Sequence, residues 1–266
     1  MDDKTKTDKM LSRKDGRVGY VIFNNPERRN AVSLDMWART TEILEQFARD
    51  EEVRVVVLTG AGGKAFVSGA DVSRFESERS SLDATRIYNQ TVEKANASIY
   101  EFPKPTIAMI RGYCLGGGLG LAVCCDLRVC SDNARFGIPA AKLGLGYAFP
   151  GIKRLTDLVG PSFAKEIFYT ARQFDAEEAR TMGLVNRVVP DADLETYVRD
   201  TADTIAANAP LTVNAVKYIV GQAVKDETQR DLGRAAEMVK KCFQSNDYVE
   251  GRNAFMEKRK PVFTGT

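Results

Sequence analysis

Histidine is absent from the 266 residues. That excludes every Ser–His and Cys–His nucleophilic arrangement, and every metal site with an imidazole ligand. A thiolate metal site is not expected either, so we assign no metal site. Cys114, Cys124, Cys125, Cys130 and Cys242 make no C-x-x-C pair, and a helical reading sends adjacent Cys124 and Cys125 to different faces. We read all five as small buried hydrophobes. Their odd number fits a reducing compartment better than a disulfide framework. Charge of one sign is also missing. Lys plus Arg is 38 and Asp plus Glu is 36, a formal charge of +2, which leaves no footprint for nucleic acid or an acidic membrane surface. No apolar run approaches the ~20 residues of a membrane span. The opening MDDKTKTDKMLSRKDGR has no apolar signal core, so we expect a cytoplasmic protein with a flexible N-terminus over residues 1–14. Chemistry must then come from carboxylates, lysine, tyrosine, thiols or backbone amides.

Hydrophobic periodicity gives a mixed α/β chain. Strands are expected over 18–23, 54–59, 106–110, 127–130, 135–138 and 186–189. Ser33 should cap a helix running to about residue 49, with Trp37, Leu44 and Phe47 on one face. Further helices are expected over 83–101 and 121–125. Asp175-Ala-Glu-Glu178 reads as a capping box, and Gly183 as a helix stop. From Ala192 onward the pattern is almost wholly helical. We therefore divide the chain into a β/α core over 15–200 and a helical region over 201–266.

Two glycine-rich loops each follow a strand. Gly60-Ala-Gly-Gly-Lys64 resembles a phosphate loop, but Leu58 stands at the first glycine position and Ala65 where Ser or Thr should meet magnesium. Gly116-Gly-Gly118 precedes an apolar helix, so its N–H groups can point outward at the positive helix end. Such amides can stabilise a developing negative oxygen without a titratable side chain. Close helix–strand packing explains the same three glycines equally well.

The run from Pro105 to Asp126, PTIAMIRGYCLGGGLGLAVCCD, resembles the signature of the crotonase superfamily, the enoyl-CoA hydratase/isomerase relatives. Asn25-Pro-Glu-Arg-Arg-Asn-Ala31, Lys64-Ala-Phe-Val-Ser-Gly-Ala-Asp71, Ala134-Arg-Phe-Gly-Ile-Pro139 and the segment from Ala254 to Phe263 match in the same order. The resemblance spans about residues 15–266. It implies a spiral of ββα units, a C-terminal trimerisation region, and homotrimers or dimers of trimers. It also implies an acyl-CoA thioester as substrate, with coenzyme A arriving as part of that substrate and no permanently bound cofactor. By motif match the thioester oxygen is held by the backbone N–H groups of Ala70 and Gly117. Loss of one such donor costs on the order of 3 kcal/mol. The CoA ester would run along Arg28, Arg29 and Ala31, and along Ser68, Gly69, Asp71 and Val72, with Leu115, Gly116, Gly118 and Ala140 around the acyl end. Lys64, Lys258 and Arg259 are candidate phosphate partners.

The acid/base groups depart from the pattern. Hydratases resembling this chain carry one glutamate two residues after the third glycine, here Gly120, and another after the proline of F-G-x-P, here Ala140. Related branches place an aspartate where this chain has Tyr147 or Ala148. Tyr147 matches a tyrosine in the methylmalonyl-CoA decarboxylase branch, and a phenol of ordinary pKa near 10 is a workable proton donor. Glu76 and Glu78 lie just beyond the CoA segment, and Asp126 reads as a structural cap. The expectation is an acyl-CoA enzyme that stabilises a thioester enolate, with hydratase activity doubtful. The alternatives are a decarboxylase or carbon–carbon bond hydrolase using Tyr147, or a noncatalytic acyl-CoA-binding homologue.

Overall fold

The computed structural model describes residues 8–78 and 80–266, without the side chains of Phe75 and Glu76. Its strands are β1 (Met10–Asp15), β2 (Val18–Phe23), β3 (Val55–Gly60), β4 (Ala65–Val67), β5 (Thr106–Ile110), β6 (Tyr113–Leu115), β7 (Leu127–Ser131), β8 (Arg135–Gly137), β9 (Phe174–Asp175) and β10 (Arg187–Val189). The first half of the chain holds helices α1 (Leu34–Arg49), α2 (Phe75–Glu78), α3 (Leu82–Tyr100), α4 (Gly117–Ala122) and α5 (Ala140–Leu143). The second half holds α6 (Phe149–Thr170), α7 (Ala176–Thr181), α8 (Leu194–Ala207), α9 (Pro210–Ala223), α10 (Leu232–Gln244) and α11 (Asn246–Glu257).

The larger sheet has the order β1-β2-β3-β5-β7-β10, parallel throughout except for the antiparallel β1–β2 pair. Parallel strands covered on both faces read as continuous apolar runs, and β3 opens with Val55-Val-Val-Leu58 for that reason. On one face Tyr20, Val57, Ile107 and Met109 meet Leu194, Val198 and Ala202 of α8. On the other, Phe23, Leu58 and Ile110 join a larger core with Trp37, Leu44, Tyr88 and Ile99. A second sheet, β4-β6-β8-β9, stands beside α4.

The mixed α/β expectation holds, with local corrections: strands β6 and β9 were not expected, and four further points differ. Residues 10–14, expected within a flexible N-terminus, form β1 together with Asp15, and the pairing of β1 with β2 sets Met10 opposite Phe23; residues 1–7 lie outside the described residues. The helix expected at 121–125 begins at Gly117, because Gly116 (φ 52°, ψ −118°) turns the chain sharply enough for the next glycines to enter the helix. Cys124 and Cys125 therefore follow α4 instead of dividing between its faces, and both are buried. Ser33 is the N-cap of α1, but its hydroxyl is buried without a hydrogen-bond partner.

The Asp175–Glu178 capping box is present, with both reciprocal bonds. Asp126 acts as a structural tie: its Oδ2 accepts from the amide of Thr106 at 2.7 Å and from Lys217 Nζ at 2.8 Å. The C-terminal end of α4 is held by Arg128, a buried guanidinium that donates to the carbonyls of Ala122 (3.5 Å), Cys125 (2.5 Å) and Leu184 (2.7 Å). A cation behind the C-terminal carbonyls satisfies them and complements the helix dipole.

Candidate active site

Two asparagines build the first wall. Asn25 Nδ2 donates to the Ala31 carbonyl at 2.9 Å, and Asn30 Oδ1 accepts from the Asn25 amide at 2.9 Å. Asn30 Nδ2 reaches across to the carbonyls of Ala61 and Ala65, at 2.9 and 2.7 Å. This lock holds Arg29 and Asn30 in the left-handed region, φ 52° and 56°, and leaves Arg28 and Arg29 exposed. The Arg29 carbonyl accepts from the Ser68 amide at 3.1 Å, joining 28–31 to 68–72 side by side. The motif marked this segment, but its residue types alone did not mark the two asparagines as its lock.

Val32 then pairs with Ala70 as an isolated parallel bridge. The Val32 amide donates to the Gly69 carbonyl, and the Asp71 amide donates to the Val32 carbonyl. Since the chain alternates, Ala70 itself turns its N–H away from Val32. It turns toward α4. A β-carbon built on Gly117 would lie 3.9 Å from the Ala70 nitrogen and 3.4 Å from Trp37 Cζ2, and one on Gly69 would lie 4.0 Å from the Gly117 nitrogen. Gly117 is the first residue of α4, so its N–H has no acceptor within the helix. Gly116 donates backward to Gly137 at 2.8 Å. Gly118 is packed so tightly that a β-carbon would fall 2.1 Å from the Val67 carbonyl oxygen. The packing reading of the triple glycine thus applies to Gly118, while the Gly117 amide is left without an acceptor inside the helix. Trp37, read only as core, is the wall behind Gly117; its Nε1 donates to the Tyr88 hydroxyl at 3.3 Å.

Asp71 is buried, and burial pushes its carboxyl up, but the Ser73 hydroxyl at 2.6 Å, the Ser73 amide and Arg28 at 3.3 Å outweigh that and hold it below the ordinary range. It is therefore a fixed anion that ties Arg28 to the loop. Glu78 shows the opposite balance. Its burial outweighs the Leu34 amide and Arg74 and raises its carboxyl, while its Oε1 accepts from Leu34 at 3.2 Å, bonding the start of α1 where Ser33 does not.

The remaining candidates divide. Leu115 stands beside Gly69, its carbonyl oxygen 3.4 Å from a β-carbon built there. Ala140 is buried at the start of α5, next to Pro139, whose Cδ lies 3.8 Å from a β-carbon built on Gly116. Val72 is exposed. Lys64 is exposed at the head of β4. Tyr147 is half-buried, its ring edge-to-face with Phe168 at 5.1 Å. Arg259 is engaged by Glu250 (2.6 Å) and Glu257 (2.6 Å), and this pairing draws Glu250 down to about 2. Glu76 lies outside the described side chains. Burial pushes the Cys124 and Cys130 thiols up to about 12 and also raises Cys114 and Cys125, whereas Cys242, expected to be buried, is only half-buried. Among the described residues no helix is long and apolar enough to cross a membrane.

Residues 13–266 match the family model for enoyl-CoA hydratase/isomerase. The chain is 36% identical over 251 residues to a short-chain-enoyl-CoA hydratase of Clostridium acetobutylicum, covering 94% of this chain and 95% of that protein. It is 35% identical over 254 residues to a crotonyl-CoA hydratase of Syntrophomonas wolfei, covering 96% and 97%. Among solved structures, an enoyl-CoA hydratase/carnithine racemase from Magnetospirillum magneticum superposes with a TM-score of 0.91 at 36% identity, over 98% of this chain and 97% of that one.

Proposed function

This chain belongs to the enoyl-CoA hydratase/isomerase family, and from that premise we propose that it is an acyl-CoA enzyme that stabilises a thioester enolate between the amides of Ala70 and Gly117. The observation that supports the reading is the closeness of two separate backbone segments, a bridge residue and a helix N-terminus: the Ala70 nitrogen lies 3.9 Å from a β-carbon built on Gly117. Two fixed donors at one carbonyl oxygen favour the enolate over the neutral thioester, because negative charge develops there in the transition state. The exposed guanidinium groups of Arg28 and Arg29, with Lys64, supply positive charge for the phosphates of the CoA moiety, and Asp71 keeps the loop that carries them in place.

A second reading, decarboxylation or carbon–carbon bond hydrolysis of a carboxylated or β-keto acyl-CoA, draws on the lack of a carboxylate at Gly120 and Ala140. Loss of CO2 generates the enolate directly, and Tyr147 then delivers the proton. A noncatalytic acyl-CoA-binding protein would use the same two amides.

The reading extends to assembly. Helices α9 to α11 leave an apolar groove of about 920 Å³ lined by Val216, Ile219, Phe243, Phe255 and Met256, and Phe255 and Met256 are 82% and 80% exposed. An apolar surface of this kind is expected to be covered, and a symmetric homotrimer or a dimer of trimers would cover it.

The test is mass spectrometry of crotonyl-CoA, a β,γ-enoyl-CoA, methylmalonyl-CoA and a β-ketoacyl-CoA incubated with the protein in heavy water. Hydration, isomerisation, decarboxylation, hydrolysis and α-deuteration leave distinct products. Any of them supports the enzyme; binding without turnover or exchange supports the noncatalytic alternative.

A further inference from the structure

The face of α4 that lacks a carboxylate has one beside it. Cys124 follows Gly120 by four residues, which places both on one side of the turn, and its thiol donates to the Gly120 carbonyl at 3.2 Å. Arg154 and Glu93 are charged groups facing that buried thiol. Arg154 of α6 grips Glu93 of α3 through a two-pronged pair: Nη2 donates to Oε1 at 2.7 Å and Nη1 to Oε2 at 3.2 Å. The Tyr100 ring stacks against the same guanidinium at 5.1 Å. The arginine side chain is 10% exposed, the glutamate 40%. The guanidinium is thus built into the wall, while the carboxylate keeps an open side. A bidentate arginine fixes both the charge and the plane of a carboxylate. One turn along α3, on the neighbouring stripe, Asn96 Oδ1 is buried and accepts no hydrogen bond. A β-carbon built on Gly120 meets no atom within 4 Å, so the space in front of α4 is open.

We propose that Glu93 is the acid/base carboxylate of this enzyme, reaching from α3 into the space that a side chain at Gly120 would have entered, with Arg154 as its positioning residue. The proposal rests on the enolate reading given above and names the group that reading lacked. For an α,β-unsaturated thioester, Glu93 takes one proton from a water. The water oxygen forms the new bond to the β-carbon. The π pair of the carbon–carbon double bond moves to the enolate, whose oxygen lies between the amides of Ala70 and Gly117. The enolate then takes the proton back from Glu93 at the α-carbon. One water is added, and Glu93 ends as it began.

The experiment compares wild type, Glu93→Gln, Glu93→Asp, Arg154→Met and the double variant Glu93→Gln/Gly120→Glu, with crotonyl-CoA turnover and α-hydrogen exchange in heavy water as readouts. Circular dichroism confirms that each variant folds. Glu93→Gln should lower kcat by about 10²–10⁴-fold with KM nearly unchanged, and Glu93→Asp should keep part of the activity. Arg154→Met should lower kcat and not KM. The double variant, in which the carboxylate returns on α4, should regain activity over Glu93→Gln. It also keeps the test open if the single variant proves unstable. Wild-type turnover with an undiminished Glu93→Gln overturns the assignment of Glu93 and leaves the oxyanion reading intact. Wild type that binds the ester but neither converts it nor exchanges its α-hydrogen overturns both.

Discussion

The Ala70 nitrogen lies 3.9 Å from the point where a β-carbon on Gly117 would stand. A methyl group there would enter the space shared by the two proposed donors, so Gly117→Ala tests the hole without removing either amide. Its other contacts, Trp37 Cζ2 at 3.4 Å and Cη2 at 3.7 Å, are ordinary van der Waals packing, so the fold should survive. The prediction is a loss of about 10²–10³ in kcat/KM with a melting temperature close to wild type, measured by steady-state kinetics and thermal melts.

Gly118 and Gly120 should respond in opposite ways. Alanine at 118 drives a methyl to 2.1 Å from a backbone oxygen, and overpacking against backbone should cost about 3 kcal/mol or more. Alanine at 120 meets nothing and gains roughly 0.5–1 kcal/mol from helix propensity. Urea denaturation of both variants checks the pair.

Asp71 and Glu78 should give opposite pH linkages. The folded pKa of Asp71 is depressed, so its stabilising contribution is complete above about pH 4, the unfolded value, and is lost as pH falls through the folded value. Asp71→Asn should therefore cost stability at pH 7 and less in acid. The folded pKa of Glu78 is raised by burial, so ionisation costs stability as pH rises from about 4.3 through the folded value. Glu78→Gln should stabilise at pH 7 and lose that advantage in acid. Denaturation midpoints across pH 3–7 read both.

How much of this was legible varies with the physics of each residue. Strands β2 and β5 were read to the residue, because continuous β-branched and apolar runs need burial on both sides. Strand β1 was missed because Ser12, Arg13 and Lys14 on it are exposed, the usual disguise of an edge strand. Strand β6 was missed because its three residues sit between Gly112 and Gly116. The Gly116–Gly118 loop could be read as an amide donor from its place before an apolar helix, but Ala70 is proposed only through the motif, since the proposed group is a backbone amide and an alanine side chain carries no signal. Glu93 and Arg154 were not legible at all. They are 61 residues apart, and only the packing of α3 against α6 brings them together.

Tyr147→Phe separates the two enzyme readings. Its ring packs on Phe168, and phenylalanine keeps that contact, so stability should hold. Decarboxylation of methylmalonyl-CoA should fall by about 10²-fold or more if the phenol delivers the proton, while hydration by Glu93 should continue. Product analysis of the single variant against both esters distinguishes the two.

The assembly proposal predicts a trimer or hexamer by sedimentation. Replacing Phe255 and Met256 together by lysine should release monomers, whereas a wild-type monomer would leave the α9–α11 groove unexplained by self-association.

The central claim concerns one carbonyl oxygen, and isotope-edited infrared difference spectroscopy of a bound ¹³C-labelled thioester observes it directly. Two converging amide donors should lower the carbonyl stretching frequency of the ester on the wild-type protein, and Gly117→Ala should return it toward the free value. A bound ester whose carbonyl is unshifted on the wild type, or shifted equally on Gly117→Ala, would contradict the account.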